Sequence, residues 1–219
     1  MPKRNKPHTE LPRWHRGRLV LSALLLLVLL WQWGSAFAIE AKAQLAQVLI
    51  ERAWQQKLAA PTLTVAPWPW ADTHAVGRLQ VLDASGAVRQ DLYVLAGGHG
   101  EALAFGPGLM SIGGAEVNSA RVIAGHRDTH FAFLRELKDG DILRWQSTDG
   151  RWRRYVISQQ SIANSMQDSL WVNPEADSLW LITCYPFDAM RAGGPLRYVV
   201  RADREKVGSN YMRNRQVSL

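Results

Sequence analysis

A single cysteine, Cys184, is all the thiol chemistry this 219-residue chain possesses. An intramolecular disulfide is therefore impossible, and a zinc site built from several thiolates is excluded. Charge of one sign is also scarce over most of the length. The formal net charge of +7 suggests nucleic acid at first sight. However, residues 1–39 hold six basic residues (Lys3, Arg4, Lys6, Arg13, Arg16, Arg18) against Glu10 alone, and residues 40–219 hold 20 basic and 18 acidic residues. The excess is a short tail, so no nucleic acid is expected as a partner. No dense acidic cluster points to calcium, and no repeat organises the chain. A composition 47% hydrophobic and 21% charged excludes global disorder. The length allows one ordinary domain with an appendage.

From Leu19 to Ile39 no Asp, Glu, Lys or Arg interrupts the run LVLSALLLLVLLWQWGSAFAI. Its 21 residues make roughly 31 Å of helix, the thickness of a bilayer's hydrocarbon layer. Trp31 and Trp33 sit near its far end, where indole rings favour the interface. The basic residues precede the run and Glu40 follows it, so the positive-inside rule leaves 1–18 in the cytoplasm and the rest outside. Ser35-Ala36-Phe37-Ala38 resembles a signal-peptidase site, but the apolar run is longer than the core of an ordinary signal peptide. We therefore expect an uncleaved anchor over 19–39. Residues 40–58 are rich in Ala, Leu, Gln, Glu and Lys and predict a helical stalk. Pro61, Pro67 and Pro69 then mark a linker that ends near residue 71.

Beyond residue 72 the periodicity changes. VGRLQVL, DLYVLA, ARVIAGH, DILRWQ, WRRYVISQQ, SLWLITC and LRYVVRA are short runs rich in β-branched and aromatic residues. Ser85-Gly86, Gly97-Gly98, Gly113-Gly114 and Asp149-Gly150 separate them as turns. DILRWQ and RWRRYVI, joined through STDG, predict a hairpin, and one helical turn is expected near Phe131–Leu137. A mostly β domain, sandwich or closed barrel, follows.

Cys184 ends the apolar run Leu179–Thr183 and precedes Tyr185-Pro186. That position suits either a nucleophile at a sheet's rim or a small buried hydrophobe. A nucleophilic thiolate needs a neighbouring base or cation. His74, His99, His126 and His130 are the histidines that follow the apolar run, and His126 stands where the strand ARVIAG stops. His126, Asp128 and His130 in HRDTH also offer a weak metal-like pattern without a third strong ligand at familiar spacing, and no metal is expected. Arg191, Arg197 and Arg201 are the basic side chains near the end of the chain's β region.

AGHRDTHFAFL, LWLITCYPF and PLRYVVRA, in that order, with LAFGPGLM ahead of them and an anchor at the N-terminus, resemble the sortases. These are cysteine transpeptidases held at the outer face of the cytoplasmic membrane. The likeness covers roughly Val76–Ala202, and the lack of disulfides with a short basic tail is similar to the Gram-negative type. One departure stands at Trp180, where the family's TLxTC pattern has threonine. The resemblance implies an eight-stranded β-barrel with short helices, preceded by the transmembrane helix and helical stalk. It implies Cys184 as nucleophile, His126 as acid and base, and Arg197 as the donor to substrate or oxyanion. Thr183 would orient substrate and the Tyr185 amide would give a second oxyanion donor. The family's arginine opens the last strand, which favours Arg197 over Arg191 and Arg201.

The expected organisation is then a basic cytoplasmic tail over 1–18, an anchor over 19–39, a stalk and linker over 40–71, a catalytic domain over 72–205 and a C-terminal tail over 206–219. The expected partners are an exported protein bearing an LPxTG-like sorting signal, an amine acceptor and the membrane, with no cofactor. The expected location is the inner membrane, single-pass, with the catalytic domain in the periplasm. A cysteine peptidase releasing its product to water, and a non-catalytic anchored β-domain, are the rival readings. The anchor is tested by alkaline carbonate washing of membranes, which should leave the intact chain in the pellet. Recovery of a released form beginning near Ile39 would show a cleaved signal instead.

Overall fold

The computed structural model describes residues 13–98, 100, 102–110, 119–191 and 193–205. The expected tail over 206–219, most of the basic tail, and His99 lie outside the described residues. The chain divides into two compact units, one up to Leu45 and one from Ala46 onward. In the first, helix α1 (Arg13–Ala59) carries the apolar run, and Leu24 to Trp33 expose their large side chains. It is the one described helix long and apolar enough to cross a membrane.

The second unit begins with the last turns of α1, and here the stalk expectation needs revision. Ile50 and Trp54 are fully buried against Ala75 and Leu95, with Leu58, Trp68, Tyr93 and Phe105 around them. Trp54 Nε1 donates to Gln146 Oε1 at 3.1 Å, and Gln47 Nε2 donates to the Phe105 carbonyl at 2.7 Å. Residues 46–59 are thus part of the domain's packing rather than a free spacer. The spacing of Ile50, Trp54 and Leu58 puts them on one helical face, as i, i+4, i+8. Lys57 ends the helix by donating to the Pro61 and Leu63 carbonyls, each at 2.7 Å.

Eight strands follow, one more than the seven runs legible in the sequence. β1 (Ala75–Leu82), β2 (Val88–Ala96), β3 (Gly108–Met110), β4 (Arg121–Ala124), β5 (Ile142–Gln146), β6 (Trp152–Asn164), β7 (Ser178–Cys184) and β8 (Leu196–Arg204) close into a barrel in the order β1-β2-β3-β4-β7-β8-β6-β5. The expected hairpin is β5–β6, paired antiparallel from Gln146↔Trp152 to Ile142↔Val156. The helical turn expected near Phe131–Leu137 is a 3-10 turn over Ala132–Glu136. β3 and the short helix α2 (Ala102–Phe105) were not legible, because three and four residues are too few to show a period.

Alternate residues fill the barrel. Leu79, Val81, Ile123, Leu143, Leu181 and Val200 belong to the main core, together with Phe131 and Leu134 from the turn after β4. The opposite parity of β4, β7 and β8 forms a second apolar layer, with Val122, Trp180 and Val199 buried and Ile182 and Ala163 beside them. Two polar ties clamp the parallel pair β4–β7 where it begins. Tyr155 Oη donates to Asp177 Oδ1 at 2.6 Å, and Arg121 Nη1 lies 3.4 Å from the same oxygen. Burial and this carboxylate push the Tyr155 hydroxyl well above its ordinary range.

The packing of Trp54 generates a stability prediction. A fully buried tryptophan removed to alanine costs about 3–5 kcal/mol. Trp54→Ala should lower the denaturant midpoint accordingly, and a fragment starting at Pro61 should lose at least as much relative to one starting at Ala46. Equal midpoints for the two fragments would show that 46–59 contributes nothing to the domain.

Candidate active site

Two of the proposed residues are brought to one rung of the sheet, and a third lies just past the end of the neighbouring strand. β7 and β8 run antiparallel with Cys184 directly opposite Arg197. β4 and β7 run parallel with Val122↔Trp180 and Ala124↔Ile182. The pairing continues past the end of β4: the Gly125 amide donates to the Ile182 carbonyl at 3.1 Å, and Thr183 Oγ1 donates to the Gly125 carbonyl at 2.7 Å. His126 follows Gly125 directly, two residues past the end of β4, while Cys184 follows Thr183 at the end of β7. Trp180, Ile182 and Cys184 share the face of Val199 and Arg197, and Val122 and Ala124 extend it on the other side. Adjacent strands lie about 4.8 Å apart, so neighbouring side chains on that rung are within reach of one another.

The local sequence explains why His126 stands there. A Cβ on Gly125 would come within 2.8 Å of the buried Phe131 ring, so the ring packs where only glycine leaves room. The Phe131 amide returns to the His126 carbonyl at 2.9 Å, which turns the chain out of the strand directly after the histidine. His126 is exposed and Cys184 half-buried, an accessible arrangement for both.

Thr183 is held within the protein itself. Its side chain is 2% exposed and its hydroxyl is given to Gly125, so it locks the end of β7 to the end of β4. The Tyr185 amide, expected to face an oxyanion, donates to the Leu196 carbonyl at 3.0 Å. The Tyr185 ring instead stacks on Tyr198 at 6.2 Å, and Phe187 meets both rings edge-on, at 6.1 Å from Tyr185 and 5.2 Å from Tyr198. This aromatic trio occupies the start of the β7–β8 connection.

Arg197 Nη1 donates to the carbonyls of Gly194 at 2.6 Å and Leu196 at 2.9 Å, so the guanidinium is folded onto the start of β8. Arg201 is placed four residues further, opposite Trp180, over whose ring its guanidinium lies at 5.3 Å. Arg191 is exposed in the connection, off both strands. Trp180, the departure noted in the sequence, donates its Nε1 to Ser178 Oγ at 3.1 Å and is 8% exposed. It fills the second apolar layer rather than standing at the rung of Cys184.

Sequence reasoning missed Arg127. It is 7% exposed, and its guanidinium donates to Asp128 Oδ1 at 3.0 Å, to the Pro186 carbonyl at 2.8 Å and to the carbonyls of Ala189 and Arg191. A charge run in a polar stretch gives no sign of burial, and only the partner carbonyls 59 to 64 residues away reveal it. Asp128 itself is exposed. Among the described residues no three His, Cys, Asp or Glu side chains gather as a metal site.

With this geometry established, the comparisons with known proteins fall into place. A family model for the sortase domain matches residues 86–205. Sortase D of Bacillus subtilis (strain 168) is 31% identical over 87 residues, which are 40% of this chain and 43% of that one. The chain thus matches less than half the length of this relative. A Clostridium perfringens Sortase D5 transpeptidase has the same fold with a TM-score of 0.55 at 16% identity, covering 74% of this chain and 99% of that one. Sortase A of Listeria monocytogenes has a TM-score of 0.50 at 21% identity, covering 60% and 88%. The chain belongs to the sortase family, a family of cysteine transpeptidases.

Two predictions arise here. Thr183→Val keeps the shape but leaves the Gly125 carbonyl without its donor, at a cost of about 1–3 kcal/mol in unfolding free energy by denaturant titration. An unchanged midpoint would show that the hydroxyl holds nothing. Burial, and secondarily the His126 charge, lowers His130 below its ordinary 6.5, and burial with Lys57 lowers His74 likewise. A depressed histidine binds fewer protons folded than unfolded. The stability it contributes is complete above pH 6.5 and is lost as pH falls through that value towards the folded one. His130→Gln should flatten the acid side of the stability profile, and a profile of unaltered slope would contradict the burial.

Proposed function

We propose that the protein is a membrane-anchored cysteine transpeptidase that cleaves an LPxTG-like C-terminal sorting signal of exported proteins and transfers the product to an amine. The observation that supports this reading is the pairing of Cys184 with Arg197 on one rung, with His126 next to Gly125, whose carbonyl accepts from Thr183 beside the cysteine. In this reading the Cys184 thiolate attacks the carbonyl carbon of a Thr–Gly-type peptide bond. The C–N bond breaks, His126 gives its proton to the departing amine, and a thioester remains on Cys184. An incoming amine then gives a proton to His126 and attacks the thioester, releasing the thiolate. Arg197 bonds its own loop through Nη1, so its Nε and Nη2 donors serve the substrate backbone or the developing oxyanion. Thr183 and Tyr185 support the site from behind, through the Gly125 tie and the aromatic trio.

The organisation we propose keeps residues 1–18 inside, 19–39 in the cytoplasmic membrane and the catalytic domain over 72–205 on the outer, periplasmic side, with the end of α1 packed on it. The apolar run and the charge difference across it support this topology. The amine acceptor and the sorting-signal protein are the partners this chemistry requires.

The test combines four substitutions with a sorting-signal peptide and an amine. Cys184→Ala should abolish both the thioester seen by mass spectrometry and all transfer. His126→Ala should slow turnover by about 10²–10⁴. Arg197→Lys keeps charge but loses the planar fork, and should cost about 10²–10³ in rate, with Arg191→Lys far milder. Transfer surviving in Cys184→Ala ends the transpeptidase reading, and the opposite ranking of the two arginines moves the donor to Arg191.

A further inference from the structure

The chain on both sides of His126 is tied to the chain on both sides of Cys184. On the strand side, the residue before the histidine is bonded to the residue before the cysteine, Gly125 to Thr183. On the loop side, the residue after the histidine reaches the chain that leaves the cysteine. Arg127 Nη1 takes the carbonyl of Pro186, two residues past Cys184, and Nη2 takes those of Ala189 and Arg191. Pro186 closes a turn to the Ala189 amide at 3.3 Å, so one buried guanidinium collects the carbonyls around that turn.

A surface-seeking residue is an expensive choice for this place. A buried cation whose one carboxylate partner, Asp128, is 68% exposed relies on neutral carbonyl dipoles for most of its solvation. The planar fork of donors suits divergent carbonyls better than an ammonium would. A loop needing only stability is held more cheaply by apolar packing, and the Tyr185–Phe187–Tyr198 cluster already supplies that at its start. What the guanidinium adds is a fixed distance between the backbone at His126 and the backbone just beyond Cys184.

We propose that Arg127 is a positioning residue for the His126–Cys184 pair, holding the imidazole-bearing turn against the segment that follows the nucleophile. The inference rests on the acid–base reading of His126 and adds to it a residue that touches neither substrate nor sulfur. Loss of the fork leaves both side chains present but their separation free to vary, and small misplacements of catalytic groups are costly.

Cys184 is the sole thiol, so its reactivity is read without interference. The full chain in detergent is alkylated with iodoacetamide across a range of pH, as wild type, Arg127→Lys, His126→Ala and the double variant, with thermal melting as the check on folding. The expected result is that Arg127→Lys moves the midpoint of the alkylation profile most of the way to that of His126→Ala, while the double variant equals His126→Ala alone. A purely structural arginine would change the melting temperature and leave the profile in place. If Arg127→Lys does not fold, Arg127→Gln carries the same comparison, since it keeps amide donors for the carbonyls without a buried charge. An equal shift in the presence and absence of His126, or no shift in a folded variant, overturns the proposal. A wild-type profile already identical to that of His126→Ala overturns the acid–base pair itself and Arg127's part with it, whereas an altered His126→Ala profile with an unaltered Arg127→Lys profile overturns only the latter.

Discussion

Everything at this site depends on the parallel register of β4 against β7. Parallel neighbours need a long connection between them, and here it comprises the 3-10 turn, the β5–β6 hairpin and the loop that follows β6. The register is fixed at one end by Arg121 and Asp177 and at the other by Thr183 and Gly125. A slip of one residue would turn Cys184 into the barrel and Thr183 out of it, because the pleat has a period of two. The two ties therefore specify which face carries the chemistry as well as how far apart its members stand.

Much of this was legible in the residues. Residue type and turn signals gave every strand but β3, the β5–β6 hairpin and the turn after His126, since each is a local pattern. The positions of Cys184, His126 and Arg197 near strand ends were legible from the neighbouring glycines and prolines, while the roles expected of them came from the family resemblance. Roles that depend on hydrogen-bond partners far along the chain were not. The Thr183 hydroxyl, the Tyr185 amide and Arg127 each have a partner assigned by folding, so the sequence offered substrate-facing roles for the first two and none for the third.

The end of α1 is a similar case. Its composition is that of a solvated helix, and its apolar face is only three residues deep. A stripe so narrow passes for a spacer until the matching concavity, formed by Ala75, Leu95 and the linker around Trp68, is known.

Closure of the barrel has a consequence for how this protein can hold a peptide. Each of the eight strands has a neighbour on both sides, but only over part of its length: among the described residues β2 meets β3 at Leu95 and Ala96 alone, and β6 beyond Ile157 pairs with β8 alone. Closure therefore confines strand addition, the mode by which open sheets capture partners, to those one-sided stretches.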